Sequence, residues 1–268
     1  MPEGNTIHRL ARIHTRDFAG RRVRVASPQG RFAQEAKRLD GRRLERAEAH
    51  GKHLFHHWSG GLVVHVHLGM AGWFYRYRGR VPEPRATVRM RMAAGDVVTD
   101  LIGPPTCEIM PEFARRALLA RLGSDPLRPD FDPDRAWATL ARRPRRAVGD
   151  ALLDQAVLAG VGNIYRAEAL FVAGIHPLRP AGGVTAPEWD SLWRAVRKLM
   201  RRGVAQKETR TVPAAEAAHP ASGRGPDDMF YVYQQEVCRR CATPLIEFPL
   251  SARRMFACPT CQPRGRKK

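Results

Sequence analysis

The spacing Cys238-x2-Cys241-x16-Cys258-x2-Cys261 constrains the fold more than any other feature of this 268-residue chain. Two such knuckles can bring four thiolates around one tetrahedral Zn²⁺, with a β-hairpin between them. Protein would fill all four ligand positions, so the single ion expected here is structural. Ser251-Ala252-Arg253-Arg254 falls where the hairpin tip would project, and the finger therefore presents arginine to its partner. Cys107 is left over and is expected to pack as a small apolar side chain. Five cysteines in a chain this long do not make a secreted disulfide framework.

Charge names the partner class. Lys+Arg minus Asp+Glu is 46 − 26 = +20, and only six of the 46 cations are lysine. Such an excess costs self-repulsion unless something anionic is bound, and nucleic acid is the first suspect; the arginine bias suits phosphate forks and equally fits a GC-rich genome. An apolar content of 43% supports a real core. No apolar run approaches the roughly 20 residues that cross a bilayer, and the N-terminus lacks the apolar segment of a signal peptide. The chain is expected to be cytoplasmic, with no membrane partner.

The first residues, Met1-Pro2-Glu3-Gly4-Asn5-Thr6-Ile7-His8, place an imino acid next to a carboxylate at a terminus. With Met1 removed, Pro2 is a secondary amine with an α-amino-type pKa of roughly 7.7–8.0, nucleophilic near neutral pH, and Glu3 is a neighbouring proton carrier. Pro-Glu also suits an ordinary helix entry. Helical spacing over Thr6–Phe18 predicts a leading helix, stopped by Gly20. Short apolar or alternating runs follow at Arg22–Ala26, His53–Trp58, Leu62–Leu68, Trp73–Tyr77, Thr87–Met92 and Asp96–Ile102, and they predict an antiparallel β-sandwich. His65 and His67 share a strand face, with His50, His53, His56 and His57 just before them. No Asp/Glu cluster completes a ligand set there, so they read as filling a sheet face. Lys52, in Gly51-Lys52-His53, stands at a turn-like strand entry.

From Pro111 the pattern turns helical, over Glu112–Leu122 and Asp134–Ala141, which marks a domain change near residue 125. Val148–Ala159 and Ile164–Ala173 read as two helices joined by Gly160-Val161-Gly162-Asn163, with Asn163 as N-cap of the second. Amides at such a helix start favour a phosphate. A helix over Pro187–Arg202 carries a core stripe of Trp189, Leu192, Trp193, Val196 and Leu199. Residues 203–228 are Ala/Pro/Gly/Ser-rich and are expected to be a flexible loop; Phe230–Val237 alternates like a strand. The expected organisation is α+β and multidomain. It comprises a β-sandwich with a leading helix (1–125), a helical domain (126–229) and a four-cysteine zinc-finger hairpin (230–262).

An N-terminal Pro-Glu, an Asn-bearing helical hairpin and a C-terminal four-cysteine finger together resemble the formamidopyrimidine-DNA glycosylase / endonuclease VIII family, over nearly the whole chain. The resemblance implies a bifunctional DNA repair glycosylase with AP-lyase activity, whose helical domain is a helix-two-turn-helix. It implies damaged DNA as partner, one structural zinc, a monomer, and a bacterial, nucleoid-associated setting. Residue by residue, Pro2 looks like the nucleophile, Glu3 the acid catalyst, and Lys52 a phosphate contact and catalytic aid. Asn163 and Arg253 look like phosphate ligands, Met70 in His67-Leu68-Gly69-Met70 like the void-filling methionine, and Glu168 like a buried family glutamate. Pro2-Glu3-Gly4 is closer to endonuclease VIII, although Asn5-Thr6 departs from the usual pattern. Asp100–Met110 lacks the arginine and phenylalanine of formamidopyrimidine-type enzymes. Oxidised pyrimidines are therefore the expected substrates, against two alternatives: a purine-directed formamidopyrimidine/8-oxoguanine glycosylase, or a non-catalytic damaged-DNA-binding protein.

Overall fold

The computed structural model describes residues 2–206, 208–213 and 229–265. By contact the chain divides into two compact units, Met1–Arg121 and Leu122–Lys268.

The first unit opens on α1 (Gly4–Phe18), whose buried Ile7, Ala11, His14 and Phe18 recur at spacings of four, three and four residues and so form one stripe. The strands are β1 (Arg24–Ala26), β2 (Leu44–His50), β3 (His53–Trp58), β4 (Leu62–His67), β5 (Trp73–Arg78), β6 (Val88–Ala94), β7 (Val97–Ile102) and β8 (Thr106–Ile109); α2 (Ala33–Leu39) lies between β1 and β2 and α3 (Glu112–Arg121) follows β8. They form two antiparallel four-stranded sheets, ordered β1-β6-β7-β5 and β2-β3-β4-β8, around one apolar cluster that includes Ile7, Phe18, Leu54, Trp58, Val64, Val66 and Leu101. The expected sandwich with a leading helix is what the chain builds. Three elements gave no usable pattern: α2, β2 and β8. In β2, Leu44-Glu45-Arg46-Ala47-Glu48-Ala49-His50 is mostly polar, and pairing with β3 makes it a strand. Asp17 ties the end of α1 to β5 through Arg76, with Nε donating at 2.5 Å and Nη2 at 3.1 Å. Cys107 is buried, and burial pushes its thiol up to about 12, so it packs as an inert side chain.

The second unit holds α4 (Pro133–Ala141), α5 (Val148–Ala151), α6 (Asn163–Val172), α7 (Ala186–Ala205) and the hairpin β9 (Ile246–Leu250) and β10 (Arg253–Ala257). Met255, Phe256, Cys238 and Cys258 belong to the same apolar cluster as Leu170, Phe171, Val196 and Leu199, so the finger segment shares its core with the helices.

Four expectations need correction here. The first arm of the helical hairpin stops at Ala151 rather than Ala159, because side chains take its amides. Asp154 Oδ1 accepts from Ala156 N–H at 2.9 Å, and Gln155 Oε1 from Gly160 N–H at 3.0 Å. Gly162, not Asn163, is the N-cap of α6. Residues 203–205 continue α7 instead of starting a loop, while Lys207 and 214–228 lie outside the described residues. The segment Phe230–Val237 forms no strand, because its amides turn inward to a carboxylate, as described next.

Candidate functional site

In the first unit, Glu3 is 1% exposed and Pro2 is buried before it. Glu3 caps α1 through its backbone, its carbonyl accepting from Thr6 N–H at 3.0 Å and Ile7 N–H at 3.3 Å, while its carboxylate makes no capping bond. Gly4 takes the first helical position. A proline serving only as a helix starter belongs at that position. Pro2 sits two residues earlier, at the positive end of the helix dipole with a carboxyl beside it. Met1 lies outside the described residues.

Lys52 stands half-buried in the turn between β2 and β3, after Gly51, whose φ of 58° places it in the left-handed region. The same sheet carries the histidines, which fall in two sets because side chains alternate along a strand. His56 points into the core and meets His14 of α1, its Nε2 lying 2.9 Å from His14 Nδ1. Burial lowers His14 to about 4 and His56 well below its ordinary range, so both are neutral. His50, His53, His65 and His67 occupy the other face. Burial first, and then His65, His67, His50 and Lys52, push His53 down to about 3; burial and Lys52 lower His67. Lys52 is thus a cation set beside His53 and His67, whose charged forms burial disfavours. Met70 follows Gly69 in the loop after β4 and is 74% exposed, an apolar side chain held out in solvent.

In the second unit, Asn163 is the first residue of α6, and its Nδ2 donates to the Arg254 carbonyl at 3.1 Å. The amide side chain thereby fixes β10 against the helix start, so Asn163 and Arg253 are brought to one place. The hairpin tip is Ser251-Ala252, with φ of 56° and 55°. This is a two-residue turn with both central residues left-handed, which directs the strands to pair Arg253 with Leu250. Arg253 is exposed at the start of β10.

Glu168 is fully buried, in the middle of α6. Its Oε2 accepts from the Thr211 hydroxyl and from Tyr231 N–H at 2.8 Å; its Oε1 accepts from Val232 and Tyr233 N–H, both at 2.8 Å. Burial raises its pKa, opposed by these four donors. One carboxylate therefore joins the described residues on both sides of 214–228. The sequence marked Glu168 only by resemblance, and nothing in it marked Thr211 or the three amides.

The four cysteines do converge. Their sulfurs lie within 4.8 Å of one another, with Cys241–Cys258 and Cys241–Cys261 at 3.5 Å and Cys238–Cys261 at 3.9 Å. A tetrahedron with Zn–S bonds of 2.3 Å has S–S edges of about 3.8 Å, so the donor set fits that ion. Two anchors of this finger escaped sequence reading. Gln262 Oε1 accepts from Cys258 N–H at 3.0 Å while its Nε2 donates to the Ile175 carbonyl at 2.8 Å. The fully buried Arg166 donates to the Gly149 carbonyl at 3.1 Å and the Leu250 carbonyl at 3.4 Å.

Comparison with known proteins agrees with this arrangement. Residues 1–100 match the formamidopyrimidine-DNA glycosylase N-terminal domain, and residues 122–213 the formamidopyrimidine-DNA glycosylase H2TH domain. Endonuclease 8 1 of Mycobacterium tuberculosis is 47% identical over 98% of this chain and all of that protein. A formamidopyrimidine-DNA glycosylase of Geobacter metallireducens is 33% identical over 98% of this chain and all of its own. The Lactococcus lactis protein solved in complex with abasic-site DNA shares the fold, with a TM-score of 0.79 over 97% of this chain and 99% of that one, at 20% identity.

Proposed function

Since the chain belongs to the formamidopyrimidine-DNA glycosylase / endonuclease VIII family, we propose that it is a DNA glycosylase/AP lyase of base excision repair that removes oxidised pyrimidines. The observation that carries the chemistry is Pro2 standing outside the helix, next to a carboxyl that is 1% exposed and makes no capping bond. With Met1 removed, the Pro2 nitrogen attacks C1′ of the damaged nucleoside, and the bond from C1′ to the base breaks as the base departs. The nitrogen gives up its own proton to the departing base, Glu3 protonates the sugar ring oxygen, and the nitrogen lone pair opens the ring to a charged iminium, which, coming from a secondary amine, has no N–H left to lose. The iminium draws electrons from C2′. Loss of a C2′ proton expels the 3′ phosphate, and a second elimination expels the 5′ phosphate.

Lys52, Asn163 and Arg253 grip phosphates around the lesion, and Met70 fills the space the flipped nucleotide leaves, offsetting part of an unstacking cost of a few kcal/mol. Glu168 supports α6 and the segments it joins. One structural Zn²⁺ held by Cys238, Cys241, Cys258 and Cys261 keeps Arg253 in place. The protein acts as a monomer on damaged DNA of the bacterial nucleoid. No described helix is long and apolar enough to cross a membrane.

The preference for pyrimidines rests on the higher identity to endonuclease 8 1 and on the absence of arginine and phenylalanine from Asp100–Met110. Borohydride trapping on duplexes carrying thymine glycol or 8-oxoguanine tests it, with a covalent adduct expected mainly on thymine glycol. An adduct on 8-oxoguanine alone would reassign the substrate to purines. Tight binding without any adduct would leave a non-catalytic damage-binding protein. Protein retaining Met1 should form no adduct; if it trapped as fast as mature protein, Pro2 could not be the nucleophile.

A further inference from the structure

The face of the β2-β3-β4-β8 sheet that does not carry the sandwich core holds a line of polar groups leading away from Lys52. His50 pairs across strands with His53, and His53 with His67. His53 Nδ1 lies 2.9 Å from His65 Nε2, the two rings stacking at 5.1 Å, and His67 stands 5.0 Å from His53 on the other side. His65 Nδ1 in turn lies 3.6 Å from Glu108 Oε1, opposite it on β8. The other acid on this face, Glu48 of β2, is engaged by His57 at 3.1 Å. The groups facing the His53–His65 pair are therefore Lys52 from the turn, His50 from β2, His67 from β4 and Glu108 from β8.

Two neutral imidazoles can share only one N–H across the 2.9 Å contact. Either His65 Nδ1 then faces Glu108 without a proton, or the outer nitrogen of His53 is bare. One added proton resolves both: the bridge keeps its hydrogen, and an N–H points at the carboxylate. The Lys52 charge and burial oppose that proton in the free protein. Burial is the larger part of this opposition and Lys52 the smaller; an anion on Lys52 removes the Lys52 part and leaves Glu108 pulling the other way.

We propose that the His53–His65 pair takes up one proton from solvent when a DNA phosphate docks on Lys52, with Glu108 as its counter-charge, so that this sheet face couples DNA affinity to pH. The coupling rests on the phosphate contact proposed for Lys52, and the proton returns to solvent on release. Both imidazoles are depressed in the free protein, so affinity should rise as pH falls below the ordinary imidazole value of about 6.5, by at most about tenfold per pH unit.

The probe is a duplex with a tetrahydrofuran abasic analogue, titrated with the full-length, zinc-loaded protein at fixed ionic strength. Calorimetry in two buffers of different ionisation enthalpy counts protons on the wild type, with a fractional uptake expected that grows as the pH is lowered from about 7 to about 5.5. Glu108→Gln, at a half-exposed carboxylate, and His65→Asn should each remove at least half of that uptake. No uptake by the wild type, or the same uptake in both variants, overturns the proposal. If His65→Asn fails to fold, the wild-type count and Glu108→Gln still decide. Lys52→Met separates the two layers. Unchanged affinity and salt slope in that variant would mean that Lys52 holds no phosphate, whereas weakened binding with zero wild-type uptake would sink the coupling alone.

Discussion

Each unit buries a polar centre, and the two centres solve the same physical problem in opposite ways. In the first, His14 and His56 lie at 1% and 0% exposure and hydrogen-bond to each other, remaining neutral because burial penalises the charged form. In the second, Glu168 is just as buried but collects a hydroxyl and three backbone amides from residues 43 to 65 positions away. The histidine pair costs little while neutral and becomes a liability in acid. The carboxylate is a hub, and the turns around it have no regular ladder of their own to fall back on. The sandwich is thus held by repeated pairing, whereas the later part of the second unit, beyond its β9-β10 hairpin and its share of the helical core, is tied down by single side chains (Glu168, Asn163, Arg166 and Gln262) and by the cysteine cluster.

The contrast breaks most visibly if metal is removed. Chelation or Cys258→Ser should unfold the finger and abolish DNA binding while the sandwich keeps its circular dichroism. Structural zinc in small domains carries on the order of 10 kcal/mol of folding free energy, and the segment has little core of its own. Unchanged affinity in zinc-free protein would count against a point-held second unit. Glu168→Ala comes next. It strands three backbone amides, each costing about 1–3 kcal/mol, while the Thr211 hydroxyl keeps the Met229 carbonyl, and it should lower the urea midpoint more than any single substitution among the exposed strand residues of the sandwich. A loss below about 1 kcal/mol would show that water replaces the carboxylate and that it is no hub.

The acid response sharpens the other side. The folded pKa of His14 is depressed, so its contribution is fully present above the ordinary 6.5 and is lost as pH falls towards about 4. Between pH 7 and 5 that amounts to about 2 kcal/mol for His14 alone, read as a fall in the melting temperature of the first unit. A flat profile over this range would mean that the pair is not held neutral. The salt dependence of DNA binding follows, its slope falling by about one on Lys52→Ala or Arg253→Ala. Loss of slope at one site only would show that one unit alone carries phosphate contacts. The smallest effect is expected from Met70→Ala: at 74% exposure, stability should stay within about 0.5 kcal/mol, while excision of a paired lesion slows.

The sequence alone determined whatever depends on local repetition or on a fixed donor spacing. Alternation placed β3, β4, β5 and β7 to within a residue, the helical stripe placed α1 and most of α7, and the two Cys-x2-Cys knuckles located four sulfurs that the fold brings within 4.8 Å. Pro2 and Glu3 stood out by their place at the terminus and Asn163 by its place at a helix start, whereas Lys52 and Glu168 were singled out by the family resemblance and by no repeat or spacing. Only the tertiary structure decided where side chains overrule the backbone's own preference. Asp154 and Gln155 end a helix that apolar spacing alone would continue, and Glu168 draws in amides that alternation assigns to a strand. Polar β2 becomes a strand because β3 offers it a partner. Local periodicity records the average demand of a core on a helix or strand, while a hydrogen bond between residues 43 or 91 positions apart leaves no periodic trace in either segment.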